Sequence, residues 1–122
     1  MKLQAHPVDQ HNVFTNYGSD FVDVKGTKHQ SSLVVTMTTV ERWRPQSFAE
    51  LCEDDFCGLL HYQPELILLG TGQQLRFPAQ AMTQGLIAAG IGVEAMNVAA
   101  LCRTFNILVG EGRAVVAALV FV

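Results

Sequence analysis

The sequence predicts an α/β fold: one three-layer domain over residues 1–122, with a central mixed β-sheet, an N-terminal β-hairpin region and a C-terminal β-α-β-α-β segment. Three observations carry this expectation. The first forty residues hold short runs of β-branched and aromatic residues, the composition that fits a pleated, half-buried surface. Leu66 to Leu69 and Ala114 to Val122 are continuous apolar runs, as in strands covered on both faces. Between them, apolar residues recur at the helical period in two separate segments.

Taken in order, Val13 to Tyr17 and Phe21 to Val24 read as strands flanking Gly18-Ser19, a pair suited to a tight turn, and Gly26 ends the second. A polar loop, Thr27 to Ser32, leads to a third strand, Leu33 to Thr38. Thr39 to Gln46 reads as a loop, because Pro45 cannot donate to a ladder and restricts the residue before it. Ser47-Phe48-Ala49-Glu50 has capping-box spacing, in which hydroxyl and carboxylate each satisfy a free backbone N–H at a helix start. The helix expected from about Phe48 to Leu60 buries Phe48, Leu51, Cys52, Phe56 and Leu59 in one stripe. Cys52 is thereby a core residue, and Glu53, Asp54 and Asp55 form a solvated acidic face, the alternative being a cation or partner site.

The strand at Leu66 to Leu69 ends at Gly70-Thr71-Gly72. Pro78 suits a first helical position, and Ala79, Met82, Leu86 and Ala89 continue that helix to Gly90. Ile91 to Met96 is the next strand. Asn97 can cap a last helix, Val98 to Val109, which Gly110 terminates before a final strand from Arg113 to Val122.

Composition narrows the function classes. With 122 residues, 49% of them hydrophobic, the chain can bury a core without metal or disulfide staples. Charged residues make up 16% and the net charge is −3, so the basic excess that neutralises phosphates is missing and no nucleic acid partner is expected. Met1 to Gln10 has no apolar run and matches no targeting segment. The nine apolar residues from Ala114 fall well short of the ~20 that span a bilayer, so membrane insertion is not expected. Three cysteines without a CxxC pair fit a reducing, cytoplasmic setting. His6, His11, His29 and His61 stand apart, with no metal-ligand spacing. No metal, no cofactor and no catalytic set is expected.

Two constellations remain as binding candidates. Gly70-Thr71-Gly72 is a glycine-rich turn after a buried strand, which can present backbone N–H groups to an anion. Against a dinucleotide, the third glycine position is Leu75 and the helix starts late, although Glu94 stands where a ribose-binding acid would. The alternative is a structural turn. On the last helix, Val98, Leu101, Cys102, Phe105, Leu108 and Val109 form an apolar stripe, while Arg103 and Asn106 share the opposite side. Together that pair can grip a carboxylate, phosphate or peptide carbonyl; otherwise they are surface residues or cap a neighbouring strand. Ala100 and Ile107 also point away from the stripe, which implies a second layer, a subunit or a partner over that face. Cys102 is either a packed thiol or, near a helix start, a nucleophile.

From Leu66 onward the chain resembles a known family. Gly70-Thr71-Gly72, Gly90-Ile91-Gly92-Val93-Glu94, Met96, Leu101 to Leu108, Glu111-Gly112-Arg113 and Ala117-Ala118-Leu119 follow in the order seen in small bacterial and archaeal proteins of unassigned function. A mitochondrial relative of that family is an assembly factor for respiratory complex I, the NADH:ubiquinone oxidoreductase. The resemblance implies a three-layer α/β domain with a central mixed sheet and no established reaction. The family's distinctive Cys-Arg-Thr-aromatic-Asn string falls on Cys102, Arg103, Thr104, Phe105 and Asn106. Asn97-Val98 departs from the acidic residue and Thr that the family pattern places after the methionine. Two functions follow as expectations. One is a non-enzymatic, assembly-assisting domain that binds a protein or a second copy through a surface including the last helix. The other is a small-molecule or anion-binding domain, an unrecognised enzyme among its forms, using Gly70, Thr71, Gly72, Arg103, Thr104 and Asn106.

Overall fold

A computed structural model describes residues 11–122. His6, and the expectation that Met1 to Gln10 carries no targeting segment, fall outside the described residues. Strands β1 (Phe14–Tyr17), β2 (Val22–Val24) and β3 (Thr27–His29) form a small antiparallel sheet in that order. The first turn closes through Gly18 N, which donates to Phe21 O at 3.0 Å. The expected loop Thr27 to Ser32 is corrected in its first half, which is β3. Lys25 and Gly26 both have positive φ, 51° and 85°, the two-residue turn geometry whose twist matches the flanking strands. The chain therefore folds straight back on β2.

Strands β4 (Leu33–Val35), β5 (Val40–Arg42), β6 (Leu66–Thr71), β7 (Gly92–Met96) and β8 (Val115–Val120) form a mixed sheet in the order β5-β4-β8-β6-β7. β6 runs parallel to β7 and β8, while β4 is antiparallel to β8 and β5. The expected loop Thr39 to Gln46 thus contains an edge strand. Thr36 N donates to Thr39 O at 2.9 Å and turns the chain back.

The helices are α1 (Glu53–Cys57), α2 (Gln80–Ala88) and α3 (Val98–Gly110). The expected continuous helix from Phe48 to Leu60 is overturned: a 3-10 turn at Phe48–Glu50, α1 and a second 3-10 turn at Gly58–Tyr62 replace it. Leu51 (ψ 137°) and Cys52 (ψ 169°) are extended and interrupt the helical path. The cause lies outside the segment. Arg44 clamps Asp55 through Nε to Oδ1 at 2.8 Å and Nη2 to Oδ2 at 2.7 Å, and Nη2 also donates to Glu50 O at 2.7 Å. Asp55 Oδ2 accepts from Cys52 N at 3.0 Å, so the capping carboxylate belongs to Asp55. Ser47 makes no capping bond, and Glu50 instead accepts from Gln46 N at 3.1 Å. Asp55 is consequently buried rather than solvated, and Cys52 is exposed rather than core. Leu51, Phe56 and Leu59 are buried as the stripe requires.

The mixed sheet is the middle layer. Leu33, Val35, Leu68, Ala117 and Leu119 meet α3 and the small sheet through Phe14, Val22, Leu101 and Phe105. Val34, Ile67, Leu69, Val116 and Ala118 meet Leu51, Phe56, Leu59 and Leu86 on the other face. Among the described residues no helix is long and apolar enough to cross a membrane.

The Arg44 hydrogen bonds, helped by the Cys52 N–H, outweigh burial and hold the Asp55 carboxyl below its ordinary range. A depressed folded pKa contributes stability above the unfolded value near ~3.9 that is lost as pH falls through the folded one. Asp55→Asn is expected to lose about 1–3 kcal/mol at pH 7 in urea unfolding. The gap between the variant and the parent should shrink as the pH drops below about 4.

Candidate functional site

The residues singled out on α3 meet the small sheet. Asn106 Oδ1 accepts from Phe14 N at 2.8 Å and its Nδ2 donates to Phe14 O at 2.9 Å, so the amide continues the pairing of β1 as a backbone would. Three residues earlier, Arg103 Nη1 donates to Tyr17 Oη at 3.2 Å. The pair therefore lies along β1, with Phe105 packed edge-on against Phe14 at 5.2 Å between ring centres. Thr104 and Ala100 are half-buried and Ile107 is 61% exposed. Cys102 is buried, and burial pushes its thiol up to about 12 against a weak opposing effect of Arg103.

The glycine-rich turn is placed differently. A Cβ on Gly70 would stand 2.9 Å from Leu119 Cβ and 3.0 Å from a Leu101 methyl, so this glycine lets α3 pass close over β6. Gly72 has φ +84°, and a Cβ there would fall 2.6 Å from Phe121 O. A side chain at either position would therefore collide with neighbouring protein, which gives both glycines a structural reason. Thr71 is fully buried: its hydroxyl contacts Gln74 O at 2.6 Å and accepts from Arg76 N at 3.1 Å. Arg76 Nη2 returns to Thr71 O at 2.9 Å, and the guanidinium lies over the Phe48 ring.

A cleft of about 270 Å³ opens beside this turn, walled by Gly72, Gln73, Asn97, Val98 and Ala99 together with Tyr17, Gly18 and Ser19. It lies where α2 leaves β6 for one face of the sheet and α3 leaves β7 for the other, the usual ligand position in open α/β folds. Of the six residues proposed from sequence as ligand contacts, Gly72 lines this cleft, and Arg103 reaches it only through Tyr17. The start of α3 is largely satisfied from within. Val98 N donates to Gly72 O at 2.9 Å, Ala100 N to Asn97 Oδ1 at 2.8 Å and Leu101 N to Asn97 O at 3.0 Å. Among the described residues, no group of three or more His, Cys, Asp or Glu side chains is placed to hold a metal ion.

A second groove escaped sequence reasoning. Phe77, 74% exposed, and Ile87, 62% exposed, flank a space of about 400 Å³ between α2 and the outer edge of β7, where Val93, Glu94 and Ala95 form the floor. The signal was present: Phe77 to Val93 contains no charged residue, although most of it is surface. The helical pattern runs through Ala79, Met82, Leu86 and Ala89 and leaves Ile87, beside Leu86, facing outward.

These features define a three-layer α/β domain built on a mixed sheet with β8 at its centre. The chain belongs to the family described as "Protein of unknown function (DUF498/DUF598)", which matches residues 14–120. It is 29% identical over 107 residues to the human NADH dehydrogenase (ubiquinone) 1 alpha subcomplex assembly factor 3, an overlap covering 86% of this chain and 58% of that protein. The chain thus spans little more than half the length of that relative. An uncharacterized protein of Rhodobacter capsulatus is 31% identical over 117 residues, covering 94% of this chain and 84% of its own. A crystal structure of a Bordetella parapertussis protein superposes with a TM-score of 0.87 at 32% identity, covering 92% of this chain and 97% of that one.

Asn106→Ala removes both bonds to Phe14 and is expected to destabilise by about 1–3 kcal/mol in urea unfolding, because Phe14 N and O lose their partner in a half-buried place. An unchanged midpoint would show that the amide is not structural. In thiol labelling at pH 8, exposed Cys52 should react first and Cys102 only when the protein unfolds.

Proposed function

We propose that this domain is a non-enzymatic binding module that assists assembly by docking on another protein. The observation that carries this reading is the exposed apolar surface: Leu75, Phe77, Ile87 and Ile107 stand 50–74% open to solvent in a domain whose core is otherwise filled. Phe77 and Ile87 share one groove, and clustered apolar groups of this kind mark contact sites more often than single ones do. The name of the human relative, an assembly factor, supports the same role. Ile107 stands apart from this groove, on α3 across the sheet, so the last helix offers a separate exposed apolar position while the denser cluster lies on α2 and β7. The low charge suits a protein partner in a cytoplasmic setting, with no nucleic acid, no membrane insertion and no cofactor involved.

The cleft of about 270 Å³ at the divergence of α2 and α3 favours a second reading, a small-molecule site. A ligand at 100 times its dissociation constant adds roughly 2.7 kcal/mol of stability, so thermal shift against a nucleotide and metabolite panel decides it. For the first reading, the photocrosslinker benzoylphenylalanine placed at Ile87 or at Ile107 in the native cell should give a discrete adduct with another protein from at least one position. No adduct from either position contradicts a protein-binding role.

A further inference from the structure

We infer that the groove between α2 and β7 receives an extended segment of a partner protein, which adds as a sixth strand to the β7 edge and presents a basic side chain to Glu94. This rests on the protein-binding reading above and names its surface and its ligand. Among the described residues β7 is the last strand of the sheet and pairs only with β6, so half of its backbone groups face outward. An edge of that kind templates another strand unless something blunts it. The opposite edge, β5, is blunted: Glu41 and Arg42 are both exposed, and Pro45 follows shortly after. β7 carries no Pro and one charge, Glu94, against the adjacent pair on β5, and its residues pair in regular register from Gly92 to Met96.

The groove supplies what strand addition needs beyond backbone bonds. Such complexes take affinity from the main chain and specificity from pockets for alternate side chains. Here α2 stands beside the edge, and Phe77 and Ile87 offer an apolar pocket of about 400 Å³ over Val93 and Ala95. Glu94, between them on the strand, is the one charge on β7, and strand alternation turns its side chain to the other face. Among the described residues it has no ion-pair partner.

Charge also selects the occupant. Glu94 is the middle residue of β7, so two copies joined edge to edge about a two-fold axis with their five-residue strands in full overlap would set Glu94 against Glu94. Like charges directly opposite destabilise a strand pair. A second copy is disfavoured, and a foreign strand with Lys or Arg opposite Glu94 is favoured. The partner segment therefore alternates apolar and basic residues and lacks proline, which would remove a ladder bond.

The test uses an end-blocked heptapeptide of alternating Val and Lys, titrated into the isotopically labelled full chain and followed by amide NMR. Shifts should concentrate in Gly92–Met96 and Gln80–Ala88, and binding should be about fivefold tighter than for the same peptide with Glu in place of Lys. Glu94→Lys should reverse that preference while leaving the fold intact, because Glu94 is exposed. Absence of shifts at β7, an unchanged preference in Glu94→Lys, or self-association through this edge in sedimentation would each overturn the inference. If the titration fails while crosslinking still finds a partner at Ile107, the groove is lost and the binding role stands; failure of both removes both.

Discussion

Strand β8 is buried at all six positions and hydrogen-bonded along both edges, to β4 on one side and β6 on the other. Its alternate side chains must therefore be covered from two directions at once. Val115, Ala117 and Leu119 face α3 and the small sheet, while Val116 and Ala118 face α1 and α2. Much of the architecture follows from that demand. Gly70 is small so that α3 can approach closely where Leu119 and Leu101 converge over β6. The small sheet is fastened by Asn106 so that Phe14 and Val22 can complete the cover.

The same constraint explains what the sequence made visible. β6 and β8 are doubly covered and therefore read as continuous apolar runs, and α3 shows both its buried stripe and its Asn97 cap. β3 and β5 were hidden because their residues are mostly exposed: Thr27-Lys28-His29 and Val40-Glu41-Arg42 carry no apolar alternation. They are held by hairpin geometry, as at Lys25-Gly26, rather than by burial. The broken helix after Ser47 has another cause. Arg44 lies eleven residues before Asp55, and its bidentate grip is a tertiary contact that no periodicity reports. Local propensity favoured one continuous helix, and the ion pair with its Glu50 bond overrode it.

Function was less legible than fold for a related reason. Arg103 and Asn106 attracted interest as polar residues on the far side of an apolar stripe, yet the far side of α3 is occupied by β1, and their bonds go to Tyr17 and Phe14. Polarity on a helix face marks a neighbour as readily as a ligand. The informative surface is the opposite case, apolar residues left in water. Ile87 adjoins the buried Leu86 on α2 and Phe77 precedes that helix, so only the three-dimensional position of α2 at the sheet edge shows them to be exposed.

Among the described residues the sheet is buried at its centre, along β8, and bare at its β7 edge, and amide hydrogen exchange of the isolated protein tests that contrast directly. Amides of β8 and those of β6 that pair with it should exchange only through global unfolding, whereas alternate amides of β7, those turned away from β6, should exchange faster by orders of magnitude. Uniform protection along β7, equal to that of β8, would mean that this edge is already covered and would contradict the account.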